Sequence, residues 1–509
     1  MKILFINPPD ENKVSENPDE KGDEYIESDD FGNFPPLGLL YVLSYLEKNT
    51  TGHEIVFKDC VAEHIKHSDL KGLYGDIRPD VLAVTSFTVS LVDVVLTART
   101  CRESFPDCHI CLGGHHPIAF PYEAAKLPDF DSIVVGEGEI AFTELVNALE
   151  KGEDITEIVG VYTSKSAIKF VDFPMKKDWR FLQKVKLPPA YIDDIEDLPV
   201  PNRNYISHIN YKSIIGVSNK LATMLSSRGC PYKCTFCDIP FKEHRRRSPK
   251  SIVDEMQLCI EMGYDEIHFY DDLFNITPKR LVEICDEIDD RGVKVKWDFR
   301  GRVNGTDYES LKRFKNSGGR MISFGIETAT DEGLKVLRKG SKVQENAQAL
   351  KWCRELGIVS VADYMIGLPH ERSEQDIWDG FKVLTKQYKP DFAQFGILSL
   401  YPNTEVYDQA VEKGLIEGGK WNKWALDPVD TELVVDHWNE FISTKDLVRI
   451  QKSVYKKFYF RPSVVFKELL RLRSFHELKT KFIGAIKVLG IKRMSNERHL
   501  QKDYSSQWE

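Results

Sequence analysis

Arg228-Gly229-Cys230-Pro231-Tyr232-Lys233-Cys234-Thr235-Phe236-Cys237 follows directly on a short strand-like segment, 222–226, and sets three cysteines at C-x3-C-x2-C spacing. That spacing puts Cys230, Cys234 and Cys237 on one tight loop, close enough for three thiolates to hold three corners of a cubane iron–sulfur cluster. Such clusters ordinarily take four cysteine ligands. A loop that supplies three leaves one iron open to a substrate or cofactor, so the loop reads as chemistry rather than electron storage. The competing reading is a structural zinc knuckle, which needs a fourth Cys or His. His244 is the close candidate for that position.

Outward from this loop, residues 220–405 alternate strand and helix six times. Ser251 is expected to cap an amphipathic helix with Ile252, Val253, Met256 and Ile260 on its apolar face, ended by Gly263. A strand is expected at 266–270, and Thr277-Pro278 opens the next helix, with Gly292 after it. Further strands are expected at 294–299, 321–326, 358–366 and 392–399. Six parallel βα units with their functional loops at the strands' C-terminal ends fit a partial barrel.

Residues 1–150 alternate in the same way. Apolar runs at 3–6, 81–85, 110–112 and 132–135 each end in small or polar residues, and a helix is expected at 37–46. Runs of this length argue for a parallel doubly wound sheet. Ligands of such sheets bind outside the strands' carboxyl ends, where glycines let the backbone approach closely. Cys108 and Cys111, three apart on an expected strand, point to opposite faces and read as core packing. Residues 150–215 read as a connector with a stiff crossing at Leu198-Pro199-Val200-Pro201-Asn202-Arg203. From about 425 onward the chain reads as helical.

The chain has 509 residues, 42% hydrophobic and 29% charged, an ordinary globular composition. Ten cysteines, three clustered and seven scattered, exclude a secreted disulfide framework. No signal peptide and no bilayer-length apolar run is legible, which points to the cytoplasm, and an exposed cluster favours low oxygen. The net charge of −10 is uneven: residues 449–503 carry 15 Lys+Arg against 4 Asp+Glu, while residues 10–30 hold ten acidic residues and two lysines. The acidic stretch reads as a solvated loop. The run Arg245-Arg246-Arg247 sits in an acidic chain, so nucleic acid is not a partner.

The cysteine loop, with Phe236 just before its third cysteine, resembles the radical S-adenosylmethionine (radical SAM) family. In sequence order, Asn7-Pro8-Pro9, Pro36-Leu37-Gly38-Leu39, Thr85-Ser86, Gly113-Gly114-His115 and Gly136-Glu137-Gly138-Glu139 closely resemble the cobalamin-binding domain fused to one large subgroup of that family. The segment Phe458-Tyr459-Phe460-Arg461-Pro462 resembles the subgroup's C-terminal extension. The resemblance implies an α/β fold in four parts: a doubly wound Rossmann-like cobalamin-binding domain (1–150), a connector (151–215), a partial (β/α)6 radical SAM barrel (216–410) and a helical C-terminal domain (411–509). It implies three cofactors, a 4Fe–4S cluster on Cys230, Cys234 and Cys237, SAM on its open iron, and cobalamin.

SAM contacts are then expected at the strand ends: Tyr270, Asp271, Asp272, Arg300, Glu327, Gly367 and Ser399. Glu327 lies in Gly325-Ile326-Glu327-Thr328, close to the family's Gly-x-Glu-Ser, and Gly367 permits a backbone approach to adenine. Each carboxylate alone also reads as a helix cap or turn residue. An arginine of the 245–247 run is a candidate bridge between cofactor and barrel. Cobalamin contacts are expected at Asn7, Pro8, Thr85, Ser86, Gly113, Gly114, His115, Gly136, Glu137 and Gly138. Many cobalamin domains carry Asp-x-His-x-x-Gly, whose histidine ligates cobalt. Here the loop is Asp59-Cys60-Val61-Ala62-Glu63-His64, with valine at the histidine position and His64 at the wrong offset, so no ligand is expected from it.

The activity implied is methylation of an unactivated carbon, of the class B type, through a 5′-deoxyadenosyl radical and methylcobalamin. Alternatives are a cyclisation or oxidation like that of the anaerobic Mg-protoporphyrin ester cyclase, and a corrinoid-binding sensor without turnover. Expected partners are a small-molecule or lipid-like substrate and an external electron donor such as flavodoxin or ferredoxin. In residues 479–494, Phe482, Ile483, Ile486 and Leu489 form a helical stripe among Lys479, Lys481, Lys487, Lys492 and Arg493. That pattern suits peripheral membrane contact or docking on the protein's own core.

Overall fold

In the first sheet, near-continuous apolar runs are explained by burial on both faces. A computed structural model describes residues 1–12, 14, 32–170, 186–213, 215, 216, 218 and 220–462. The basic stripe at 479–494 and most of the acidic stretch lie outside the described residues. Strands β1 (Lys2–Asn7), β2 (Glu54–Asp59), β3 (Val81–Ser86), β4 (His109–Gly114) and β5 (Ser132–Val134) are parallel, in the order β2-β1-β3-β4-β5. Along β1, Ile3 and Phe5 join one core with helices α1 (Leu37–Asn49) and α5 (Gly138–Lys151). Leu4 and Ile6 join the opposite core with α2 (His67–Ile77) and α3 (Leu91–Ser104). Cys108 and Cys111 divide between the same two cores, as their spacing predicts. Within the expected connector, β6 (Val161–Tyr162) pairs antiparallel to β5 and closes that edge. Between α3 and α5, a short helix, α4 (Pro121–Lys126), returns towards the C-terminal part of the chain.

The second sheet holds β7 (Leu221–Met224), β8 (Glu266–Phe269), β9 (Lys296–Gly301), β10 (Gly319–Glu327), β11 (Val359–Ile366) and β12 (Phe392–Ile397), all parallel and side by side in chain order. Helices α6 (Pro249–Glu261), α7 (Pro278–Asp290), α8 (Tyr308–Asn316), α9 (Val343–Leu356) and α10 (Glu374–Val383) cover one face. The period of two sorts each strand: Ile267 and Phe269, Trp297 and Phe299, and Ile322, Phe324 and Ile326 pack against those helices in one core. The alternate residues face the concave side, and among them are Glu266, His268, Asp298, Arg300, Ser323, Glu327 and Asp363. The cap of α6 is Ser248, not Ser251: Ser248 Oγ accepts from the Ser251 amide, because Pro249 with its fixed φ takes the first helical position.

Two further features join the parts. The carboxylate of Glu255 on α6 is fully buried between Arg203 of the connector (2.6 Å) and Arg247. Helix α13 (Thr444–Tyr459) lies along β12, the free edge of the open barrel. Tyr455 Oη accepts from the Phe395 amide at 3.0 Å, Tyr459 Oη accepts from the Ala393 amide and donates to its carbonyl, and Gln451 donates to the Phe395 carbonyl. Side chains thus satisfy a strand edge that carries no further strand among the described residues. Helices α11 (Glu405–Glu412) and α12 (Lys420–Leu426) share the core of α2 and α3 through Tyr407, Trp421 and Trp424.

At this junction Asn422 of α12 donates to Glu123 of α4 at 2.7 Å, and burial pushes the Glu123 carboxyl up to about 7. Between the ordinary value of 4.5 and about 7, the folded protein holds a proton that the unfolded chain has released. Stability therefore falls as pH rises through that window, by about 1.4 kcal/mol per unit. Glu123→Gln keeps the acceptor and removes the titration. Its thermal midpoint is expected to exceed that of the parent at pH 8, with the gap closing as pH falls towards 5. A gap independent of pH excludes Glu123 as the titrating group.

Candidate active site

Beyond β7 the chain turns into the cysteine loop under tight restraint. Asp271, buried at the end of β8, accepts from the Ser226 amide and from the hydroxyls of Ser226 and Ser227, and burial raises its carboxyl to about 6. Asp272 accepts from the Gly229 amide at 2.8 Å. Gly229 has φ +83°, and a Cβ there would strike the Glu243 carbonyl. The Cys230 amide donates to the Phe241 carbonyl and the Thr235 amide to the Leu337 carbonyl. Asp271 and Asp272, expected to meet SAM, brace this loop.

The three thiols differ in setting: Cys230 is buried, Cys234 and Cys237 half-buried. Among the described residues, the donor atoms close enough to share one ion are those of Glu266, His268 and Asp298, a group that excludes the cysteines. His244 Nε2 engages the Leu273 carbonyl at 2.9 Å. A single zinc ion is thus poorly served, whereas a cubane accepts thiolates spread more widely. Arg302 Nη1 donates to Cys234 Sγ at 3.3 Å, which suits a sulfur carrying negative charge.

Below the loop, the concave face of the barrel is the polar half of the alternation. Tyr270 stands between Phe34 (ring centroids 5.0 Å apart) and the Arg300 guanidinium (5.5 Å). Glu327 sits at a bulge with φ +62° and pairs with Lys339 at 2.7 Å. A non-glycine residue held in the left-handed region marks a position the surroundings over-determine. Asp363 accepts from Ser323 Oγ at 3.0 Å, while its buried Oδ1 is without a hydrogen-bond partner among the described residues. Burial raises its carboxyl, opposed by Arg300. An orphaned acceptor beside Glu327 and Arg300 fits a ligand that brings donors and positive charge, as the ammonium and sulfonium of SAM do. Asp363, Ser323, Asp298 and His268 were missed by motif reading, although counting every second residue along the strands finds them.

The floor of this lumen is closed. His268 bonds Asp298, and Arg320 pairs with Glu266 at 2.8 Å and Asp298 at 3.0 Å, with Phe34 packed edge-on against His268. Two expected contacts fall elsewhere. Gly367 has φ +73°, and a Cβ there would meet Leu447 of α13 at 2.9 Å, so this glycine makes room for a helix. Ser399 donates to the Ile397 carbonyl and bridges to His437.

The strand order of the first sheet reverses between β1 and β3, and the loops after these strands flank the crevice where such sheets bind ligands. Asn7 donates to Asp59, which also accepts from Tyr211; burial raises the Asp59 carboxyl. Pro8 is buried beside Asn7. Ser86, buried next to Thr85, donates to the Gly113 carbonyl at 2.7 Å, and Gly114 has φ +94°. Phe87, unremarked in the sequence, is 66% exposed on the loop after β3, its ring stacked 6.3 Å from His115. His115 Nε2 lies 3.3 Å from Asp238, the neighbour of Cys237. The carboxyl edge of the first sheet therefore faces the cysteine loop, and an exposed aromatic with small residues beside it fits a broad, flat ligand such as a corrin. His64 is exposed, as its offset suggests.

Gly136-Glu137-Gly138 serves another purpose. A Cβ on Gly136 would strike the Ala190 backbone, and one on Gly138 would press on Val42. Glu137 accepts from Arg228 (3.0 Å), Arg245 (2.7 Å) and the Ile192 amide. Burial opposes its ionisation, but the guanidiniums hold its carboxyl below the ordinary value. Glu139 pairs with Arg228 as well. Arg245 and Arg247 are thus engaged by protein carboxylates rather than bridging to a cofactor.

Two family profiles match the chain, a B12 binding domain over residues 31–146 and the radical SAM superfamily over 224–379. The chain thus combines a B12 binding domain with a radical SAM domain. It is 28% identical to an uncharacterised methyltransferase of Pyrococcus horikoshii over 93% of this chain and 96% of that one. It is 25% identical to the anaerobic magnesium-protoporphyrin IX monomethyl ester cyclase of Rubrivivax gelatinosus, over 81% of this chain and 70% of that one. The solved cobalamin-dependent radical enzyme OxsB, with aqua-cobalamin and SAM bound, superposes with a TM-score of 0.66 at 16% identity, covering 96% of this chain and 71% of that one. The cofactors of this enzyme family are a 4Fe–4S cluster, SAM and cobalamin.

If Phe87 supports the corrin, Phe87→Ala is expected to weaken corrinoid retention by about 2 kcal/mol, roughly thirtyfold, leaving the iron content unchanged. Phe87→Trp is expected to retain it. Corrinoid absorbance after gel filtration reads both, and equal retention in the alanine variant removes Phe87 from the site.

Proposed function

We propose that this enzyme methylates an unactivated carbon of a small organic substrate. The observation that carries the reading is the contact of His115 with Asp238, which sets the ligand-binding edge of the first sheet against the cysteine loop. When bound, cluster and SAM supply a radical that removes a hydrogen atom, and cobalamin supplies the methyl group. Cys230, Cys234 and Cys237 hold the cluster. Glu327, Asp363, Tyr270 and Arg300 orient SAM in the lumen, while Phe87, Gly113, Gly114 and His115 seat the corrin. Val61 stands where a cobalt-ligating histidine would be, so cobalamin binds without a ligand from the Asp59 loop. The closed floor of Phe34, His268, Asp298 and Arg320 keeps bulk water from the lumen.

The likeness to the cyclase favours one second reading, ring closure without methyl transfer. Product counting on anaerobically reconstituted protein separates the two. Methylation yields S-adenosylhomocysteine together with 5′-deoxyadenosine, and both are expected to vanish when all three loop cysteines become alanine. 5′-Deoxyadenosine alone supports cyclisation, and neither product supports a sensor.

An electron donor of the flavodoxin or ferredoxin type reduces the cluster, and the basic stripe at 479–494 brings the enzyme to anionic membrane where a lipid-like substrate resides. No helix among the described residues is long and apolar enough to cross a membrane. Sedimentation is expected to show salt-sensitive preference for anionic over neutral vesicles, lost on truncation before Lys479. Equal recovery with both vesicle types assigns the stripe to docking on the protein.

A further inference from the structure

Arg302 immediately follows β9 and is only 6% exposed, yet no carboxylate among the described residues pairs with it. Its Nη1 donates to Cys234 Sγ at 3.3 Å, and its guanidinium lies 3.8 Å over the ring of Tyr232 in the same loop. Nε and Nη2 are buried without a hydrogen-bond partner among the described residues. A guanidinium removed from water without an anion is strongly unfavourable, so such a group implies a counter-charge that binds there.

The position is built with care. Asn275, 1% exposed, clamps the Arg302 backbone from both sides, its Nδ2 donating to the carbonyl at 2.7 Å and its Oδ1 accepting from the amide at 2.9 Å. Asn275 in turn fits only because residues 301 and 305 are glycines: a Cβ at Gly301 would strike its side chain, and one at Gly305 its backbone carbonyl. A rigid shell therefore holds a cation against the cysteine loop before any ligand arrives.

We propose that Arg302 is the counter-charge of the cluster held by Cys230, Cys234 and Cys237 and sets its reduction potential, an inference that rests on the cluster reading above. Reduction adds one electron from the external donor, and with it one negative charge, to the thiolate-bound cluster. A buried cation that also donates to a ligand sulfur stabilises the reduced form and raises the potential. Arg302 is accordingly a positioning and tuning residue, with no contact to the reacting carbon required of it.

The test compares the full-length protein with Arg302→Gln, Arg302→Met and Arg302→Lys, each anaerobically reconstituted without SAM. Iron and sulfide counts and the broad cluster absorption establish loading, and a mediated redox titration followed by electron paramagnetic resonance gives the potential. The neutral variants are expected to load fully and to shift the reduction equilibrium at least tenfold against the reduced form, about 59 mV for one electron, with Arg302→Lys in between. Loading in Arg302→Lys but in neither neutral variant also supports the charge requirement. Full loading with the parent's potential in the neutral variants overturns the proposal and leaves the cluster reading intact, as does a changed SAM affinity with no change in potential. Loss of the cluster from all three variants shows that shape, not charge, is what the loop needs. A parent protein that takes up no cluster refutes the underlying reading instead.

Discussion

One carboxylate fixes the relation between the two halves of the site. Glu137 leaves the carboxyl edge of the first sheet and receives Arg228 and Arg245 together. These two arginines face each other on a minimal antiparallel ribbon, the two stems of the loop that carries the cysteines. The loop is therefore anchored at both ends to the domain across from it, not merely to its own barrel. Two guanidiniums and a backbone amide offset the cost of burying the Glu137 charge, which makes the joint stiff as well as charged. This joint, together with the His115–Asp238 contact, sets how the first sheet's carboxyl edge meets the cysteine loop.

Much of the fold was legible because it obeys short-range rules. Apolar runs ending in Asn7-Pro8-Pro9 or Gly113-Gly114 gave the first sheet, six βα repeats gave the barrel, and the cysteine spacing gave the loop. What was not legible shares one cause, partners distant in sequence. Gly136-Glu137-Gly138 has the composition of a cofactor loop, and only Arg228 and Arg245, 91 and 108 residues away, turn it into a joint. Gly367 looks like a gap left for a ligand until Leu447 fills it. Asp271 sits where a SAM contact belongs, yet its oxygens face Ser226 and Ser227. Arg302 carries no local signature, since Cys234 lies 68 residues before it.

The barrel also inverts a familiar pattern. Its alternation puts apolar side chains outward, under the helices, and acids, bases and hydroxyls inward. At the floor Arg320 pairs with Glu266 and Asp298, and His268 bonds Asp298, so the deepest charges oppose one another. Higher up, beside Glu327, Asp363 keeps an oxygen with no hydrogen-bond partner among the described residues.

Helix α13 gives the barrel its boundary. Tyr455, Tyr459 and Gln451 do for β12 what a seventh strand would otherwise do. A fragment cut at the end of the sixth βα unit would carry a naked template for strand addition and would recruit copies of itself. The unit that folds without an exposed edge on this side is thus the barrel together with this helix.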